Sequence, residues 1–129
     1  MRLAHVMIRV NHLEESIQFY TEVLNMKVLQ RTENEAYKYT IVFVGYDDLD
    51  KSTAIELTYN WGRHSYQHGE AFGHLCLQVD DIYKTCEIIK EKGGAVTREP
   101  GPVKGGTTVI AFIKDPNGYQ IELIESEKS

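Results

Sequence analysis

Two histidines and two glutamates stand out because each lies in a strand-like segment whose other side chains are largely apolar. They are His5, Glu56, His74 and Glu122. Imidazole nitrogens and carboxylate oxygens are common ligands of divalent metals in proteins. A lone histidine or glutamate on a strand is more often part of an ordinary solvated face. The recurrence of both residue types favours a metal site, with positions left open for water or substrate.

The chain contains an internal repeat, which explains the recurrence. His5 to Val10 matches His74 to Val79 at an offset of 69, and Ala54 to Thr58 matches Gln120 to Ile124 at an offset of 66. Each copy predicts a strand, a helix and three further strands. In the first copy we expect strands at 3–10, 26–33, 38–45 and 53–60, and in the second at 73–79, 95–98, 107–113 and 119–125. The predicted helices are marked by Leu13, Ile17, Tyr20 and Leu24 in the first copy, and by Ile82, Cys86 and Ile89 in the second.

These elements predict an α+β fold made of two tandem βαβββ modules. We expect a single domain over residues 1–129, with repeats at 1–60 and 73–125 and a linker at 61–72. Because side chains alternate along a strand, Arg9 should share a face with His5, and Asn60 should share one with Glu56. The wholly apolar opposite faces should pack on the helices.

Composition narrows the class of protein. Of the 129 residues, 42% are hydrophobic and 26% are charged, as in ordinary globular chains. Fourteen basic and nineteen acidic side chains give a net charge of −5, which argues against a nucleic-acid partner. We expect no membrane span, since the apolar runs are far shorter than the ~20 residues needed. With no apolar signal segment and only Cys76 and Cys86, the expected location is the cytoplasm, with both thiols reduced.

Other polar residues are weaker candidates for a site. His64 and His68 have i, i+4 spacing, but neighbouring glycines indicate a loop. Cys76 shares a face with His74 and could be a soft ligand, although we expect a small buried side chain instead. The loop at 103–107 contains Lys104 and two glycines, and alone it predicts no more than a turn.

Five segments together resemble the glyoxalase I (lactoylglutathione lyase) family, in its short bacterial nickel-type form within the vicinal oxygen chelate superfamily. They are Met1 to Val10, Ala54 to Gly62, Phe72 to His74, Gly101 to Thr108 and Asp115 to Leu123. The resemblance covers nearly the whole chain, and each of the four candidate ligands lies in a matching segment.

The resemblance implies a fold in which half-barrel sheets pair across a homodimer, with active sites shared between subunits. It implies isomerisation of the methylglyoxal–glutathione hemithioacetal to S-lactoylglutathione through an enediolate, which detoxifies methylglyoxal, with glutathione as co-substrate. The metal ligands it implies are His5, Glu56, His74 and Glu122, completed by two waters. The expected metal is Ni²⁺; Co²⁺ is possible, and Zn²⁺ is less expected because zinc members typically carry Gln at position 5.

The resemblance also implies roles around the metal. Glu122 is the expected base, and Glu56 would serve the other enantiomer. Arg9 and Asn60 would hold the γ-glutamyl end of glutathione, Lys104 its glycyl carboxylate, and His74 would contact substrate as well as metal. Glu70 departs from relatives that carry a basic side chain there. Two alternatives within the superfamily are a ring-cleaving dioxygenase, which would need only one carboxylate, and a metal-free small-molecule-binding protein.

Overall fold

The computed structural model describes residues 1–127 and contains eight strands, two α-helices and one π-helical segment in that range. The chain divides into two compact units, one ending at Gln67 and the other beginning at His68. The first unit contains β1 (His5–Arg9), α1 (Leu13–Gln18), a π-helical segment (Phe19–Val23), β2 (Lys27–Asn34), β3 (Tyr39–Gly45) and β4 (Ala54–Asn60). The second contains β5 (Leu75–Val79), α2 (Ile82–Glu91), β6 (Ala95–Pro102), β7 (Val109–Lys114) and β8 (Gln120–Glu125).

Both units have the same sheet topology. The strand order is β1-β4-β3-β2 in the first and β5-β8-β7-β6 in the second. In each unit the first strand pairs in parallel with the last, and the other neighbours are antiparallel. The predicted α+β class and the βαβββ order of both repeats are confirmed.

Each unit has its own core between its helix and one face of its sheet. In the first unit, Ile8 and Leu57 from the sheet are buried together with Tyr20 from the helical segment. In the second unit, Ile121 and Leu123 are buried with Ile89 of α2. The α2 helix begins at an N-cap, where the Asp81 carboxylate accepts a hydrogen bond from the Lys84 amide. Packing of the apolar strand faces on the helices is therefore as the alternation predicted. No helix in residues 1–127 is long and apolar enough to cross a bilayer.

The first helix differs from expectation in its second half, where it widens into the π-helical segment. The Leu24 amide donates to the Phe19 carbonyl, five residues back, and the Thr21 hydroxyl donates to the carbonyl of Ile17. Back-bonding by threonine of this kind perturbs α-helical geometry. The apolar periodicity correctly predicted a helix but carried no information about its hydrogen-bond pattern.

Strand β6 is longer than predicted, extending to Pro102 instead of residue 98. The segment Glu99 to Pro102 contains two prolines and a glycine and is typical of a turn. It continues as a strand because β6 lies at the sheet edge, where proline is tolerated. The Arg98 guanidinium also donates to the carbonyls of Gly101 and Ile110 across the bulged region.

We expect Leu57→Ala to destabilise the protein by about 2–5 kcal/mol, because Leu57 is completely buried in the central strand β4. Urea denaturation followed by circular dichroism measures the change. Val28→Ala is the control: Val28 is 46% exposed, and its truncation should cost no more than about 0.5 kcal/mol. Equal effects of the two substitutions would contradict this account of the core.

Candidate metal centre

In the first unit, the sheet brings His5 and Glu56 together although 51 positions separate them in the chain. Parallel pairing of β1 with β4 sets Met7 opposite Glu56, so His5 lies diagonally across from the carboxylate on the same face. His5 Nε2 is 3.1 Å from Glu56 Oε1, and the two side chains are 39% and 15% exposed.

The second unit repeats this arrangement with His74 and Glu122. Residue Cys76 of β5 pairs with Glu122 of β8, and His74 immediately precedes β5. His74 Nε2 is again 3.1 Å from Glu122 Oε1, and the side chains are 39% and 21% exposed. Each unit therefore presents a partly exposed imidazole and carboxylate within hydrogen-bonding distance.

A phenylalanine orients each imidazole. Phe43 of β3 packs edge-on against His5, and Phe112 of β7 packs edge-on against His74, both with ring centroids 5.1 Å apart. Each phenylalanine is also the cross-strand partner of the glutamate in its unit. No local pattern in the sequence pointed to a role for these rings. Their equivalence at the repeat offset of 69 is the signal that could have identified them.

The two carboxylates have different second partners. The Thr58 hydroxyl donates a 2.7 Å hydrogen bond to Glu56 Oε2. Glu122 instead interacts with the thiol of Cys76. Partial burial of the thiol raises the pKa of Cys76, and the negative charge of Glu122 and the hydrogen bond between the two side chains raise it further. Thr58 lies two residues beyond Glu56 on the same face of β4, and its hydrogen bond is a feature of the site that the sequence did not predict.

The donor atoms fit a divalent cation. At metal–ligand distances of about 2.1 Å, two neighbouring ligands of an octahedral ion lie about 3.0 Å apart. The observed Nε2–Oε1 distance in each unit is 3.1 Å. Within residues 1–127, no three His, Cys, Asp or Glu side chains form a metal-binding group. Each unit thus contains two of the four candidate ligands.

The candidate substrate contacts lie near the first half-site and in a separate turn. Arg9 is on β1 opposite Thr58, on the face of His5. The side chain of Asn60, at the end of β4, donates to the Tyr66 hydroxyl at 2.9 Å. Lys104 is exposed in a turn closed by a hydrogen bond from the Val103 amide to the Thr108 carbonyl.

Of the weaker candidates, His64 and His68 lie in loops, as expected. His64 stacks on His12 with ring centroids 4.9 Å apart, and His68 stacks on Tyr119 at 4.3 Å. Glu70 is exposed in the segment before β5. Cys76 is exposed on β5, so the expectation of a buried side chain was wrong: its side chain lies on the sheet face of His74 and Glu122 and not on the face that packs on the helix. Cys86 is buried on α2, and neither cysteine forms a disulfide.

The chain is similar in sequence and in structure to known proteins. The family model described as the Glyoxalase/Bleomycin resistance protein/Dioxygenase superfamily matches residues 2–123. The chain is 55% identical to a lactoylglutathione lyase of Haemophilus influenzae, over 100% of this chain and 96% of that protein. It is 58% identical to a lactoylglutathione lyase of Escherichia coli O157:H7, over 98% of this chain and 94% of that protein.

Among solved structures, glyoxalase I from Zea mays is similar, with a TM-score of 0.95 and 48% identity. The similarity covers 99% of this chain but 46% of the maize chain, so the chain spans just under half the length of that relative.

Proposed function

The chain belongs to the glyoxalase I family of lyases, and from this premise we propose that it isomerises the hemithioacetal of methylglyoxal and glutathione to S-lactoylglutathione. The observation that carries the proposal is the presence of two matched His–Glu pairs, each with a donor separation of 3.1 Å. A ring-cleaving dioxygenase would use two histidines and one carboxylate, and a metal-free binding protein would use none of the four.

We assign His5, Glu56, His74 and Glu122 as the ligands of one divalent metal, with Ni²⁺ expected, Co²⁺ possible and Zn²⁺ less favoured. When bound, such an ion acts as a Lewis acid that stabilises negative charge developing on substrate oxygens. The four residues are distributed equally between the two units, two in each. The proposed active enzyme is a homodimer in which His5 and Glu56 of one subunit meet the second half-site of its partner.

Glu122 is the proposed base. The reaction removes a proton from the carbon that bears sulfur and delivers it to the neighbouring carbon, leaving a thioester. One carboxylate can perform both transfers if it lies within hydrogen-bonding reach of both carbons. Glu122 is the more exposed of the two glutamates, and its second partner is a thiol. Glu56 would serve the hemithioacetal enantiomer presented from the opposite side.

Glutathione is the proposed thiol, held by Arg9 and Asn60 at its γ-glutamyl end and by Lys104 at its glycyl carboxylate. Asn60 is already oriented by its hydrogen bond to Tyr66. Lys104 lies beside glycines whose backbone amides can also face an anion. The proposed location is the cytoplasm, where the thiols of Cys76 and Cys86 would remain reduced.

Thioester formation from methylglyoxal and glutathione tests the proposal directly. Purified protein is loaded with Ni²⁺, and the ultraviolet absorbance of the thioester is followed. Oxygen uptake with a catechol is measured in parallel. Oxygen consumption without thioester formation would replace the proposed function with a dioxygenase.

We expect Arg9→Ala to weaken binding of S-substituted glutathione inhibitors by about one to two orders of magnitude, because a charge-assisted hydrogen bond to a carboxylate is lost. Isothermal titration calorimetry measures the affinity, and bound nickel should be unaffected. Arg31→Ala is the matched control, since Arg31 pairs with Glu14 and Glu33 instead. Unchanged inhibitor affinity in Arg9→Ala would remove Arg9 from the substrate site.

A further inference from the structure

The two half-sites are nearly identical, so the environment of their carboxylates must distinguish Glu56 from Glu122. The His–Glu distance, the His–Phe distance and the exposure of the histidine all match between the units. The repeat alone would make either glutamate an equally good base. Any functional difference has to come from residues that the repeat does not preserve.

Two such residues contact the carboxylates. At the offset of 66, Thr58 of the first unit corresponds to Ile124 of the second. Thr58 is two residues beyond Glu56 on the same strand face, and its hydroxyl donates to Oε2 at 2.7 Å. The apolar Ile124 side chain has no donor to offer Glu122. Cys76 is the cross-strand neighbour of Glu122, so its thiol is the partner there, and Cys76 occupies the position of Met7 in the first copy.

We propose that Thr58 is a positioning residue that holds Glu56 in place as a fixed metal ligand and thereby leaves Glu122 as the carboxylate that moves during proton transfer. The inference rests on the proposed function, in which both glutamates bind the same ion. It assigns different roles to two residues that the repeat makes equivalent.

The strengths of the two hydrogen bonds support this difference. A hydroxyl that donates to an ionised carboxylate makes a strong, charge-assisted bond, whereas a thiol is a weak donor. Thr58 is only 9% exposed, and its branched side chain has few rotamers, so the hydroxyl is held in position. With His5 near Oε1 and Thr58 on Oε2, both oxygens of Glu56 are engaged.

Proton transfer between two adjacent carbons requires the carboxylate to approach each in turn. Glu56 could do so only by giving up its hydrogen bond to Thr58. Both glutamates have a histidine 3.1 Å away, and beyond that shared contact Glu122 loses no more than a weak contact with Cys76. Glu122 is therefore the carboxylate better suited to carry the proton, whereas Glu56, as the base for the other enantiomer, would first have to break its hydrogen bond to Thr58.

Nickel affinity tests the role of Thr58 without relying on turnover. Thr58→Val is nearly isosteric and lacks the hydroxyl, and Thr58→Ser retains it. Calorimetry with Ni²⁺ should show binding about tenfold weaker for Thr58→Val and near wild type for Thr58→Ser. Circular dichroism and thermal melting establish that both variants are folded. Equal nickel affinity in Thr58→Val and wild type would overturn the proposal.

The reciprocal experiment installs the hydroxyl beside the other glutamate. Ile124→Thr should lower kcat by about tenfold, because the new hydroxyl can donate to Glu122 and restrain it. KM should stay unchanged, and nickel should bind at least as tightly as in the wild type. Ile124→Val is the control, because valine has the shape of threonine but no hydroxyl. Its kcat should stay near that of the wild type. A wild-type kcat in Ile124→Thr would overturn the assignment of Glu122 as the moving carboxylate. If the wild-type protein binds nickel but forms no thioester, the proposed function is wrong. The difference in nickel affinity between Thr58→Val and Thr58→Ser then still decides the role of Thr58.

Discussion

An equal mixture of Glu56→Ala and Glu122→Ala chains, unfolded and refolded together, is expected to regain about a quarter of wild-type activity. Each variant alone should be inactive, because each lacks a proposed metal ligand. In a mixed dimer with shared sites, one site contains both substitutions. The other site is formed by two unsubstituted halves. Random pairing makes half of the dimers mixed, and each mixed dimer has one complete site out of two. About a quarter of all sites are therefore complete.

The thioester assay measures recovery, and size-exclusion chromatography establishes that the mixture has formed dimers. Each variant refolded alone is the control for residual activity. If both ligand pairs came from the same chain, every site would keep one lesion. A refolded mixture that dimerises and remains inactive would therefore refute the shared site.

Removal of metal with a chelator is expected to abolish activity, and Ni²⁺ or Co²⁺ should restore it far better than Zn²⁺. Loss of a Lewis acid in such a reaction typically removes several kcal/mol of transition-state stabilisation, so the rate should fall by at least about a hundredfold. The preference among metals is expected from geometry, because affinity alone does not disfavour zinc so strongly. Two histidines and two carboxylates with open positions suit a six-coordinate ion.

Activity is measured on apoprotein after addition of each metal separately. Calorimetry shows whether Zn²⁺ has bound, so that a failure to restore activity is distinguished from a failure to bind. His5→Gln is an informative variant, because the resemblance associates Gln at this position with zinc-dependent members. Full recovery of the wild type with Zn²⁺ would contradict the predicted nickel preference.

Much of the fold could be predicted from local patterns. Side-chain patterning together with the internal repeat located the eight strands of residues 1–127, with β6 predicted too short, and helical spacing located the two helices in that range. The repeat then placed a histidine and a glutamate in each copy, and strand parity put His5 with Arg9 and Glu56 with Asn60. These inferences succeeded because side-chain alternation is a property of the extended backbone itself and needs no knowledge of neighbouring strands.

Contacts between distant strands required the tertiary structure. That β1 pairs in parallel with β4, in a register that sets His5 3.1 Å from Glu56, depends on strand order, which no local pattern encodes. The same is true of Phe43 against His5. The extension of β6 through Pro102 depended on its position at the sheet edge, and the widening of the first helix depended on its hydrogen bonds.

The two glutamates show most clearly which properties the sequence determines and which depend on the tertiary structure. The repeat places Glu56 and Glu122 at corresponding positions as candidate ligands, and only the resemblance distinguished them, by making Glu122 the expected base. Only the folded chain showed that Thr58 reaches Glu56 with a hydroxyl while Cys76 contacts Glu122 from the adjacent strand. Residue type is local, but the partner that a carboxylate finds depends on rotamers and on cross-strand register, which packing of the whole sheet decides.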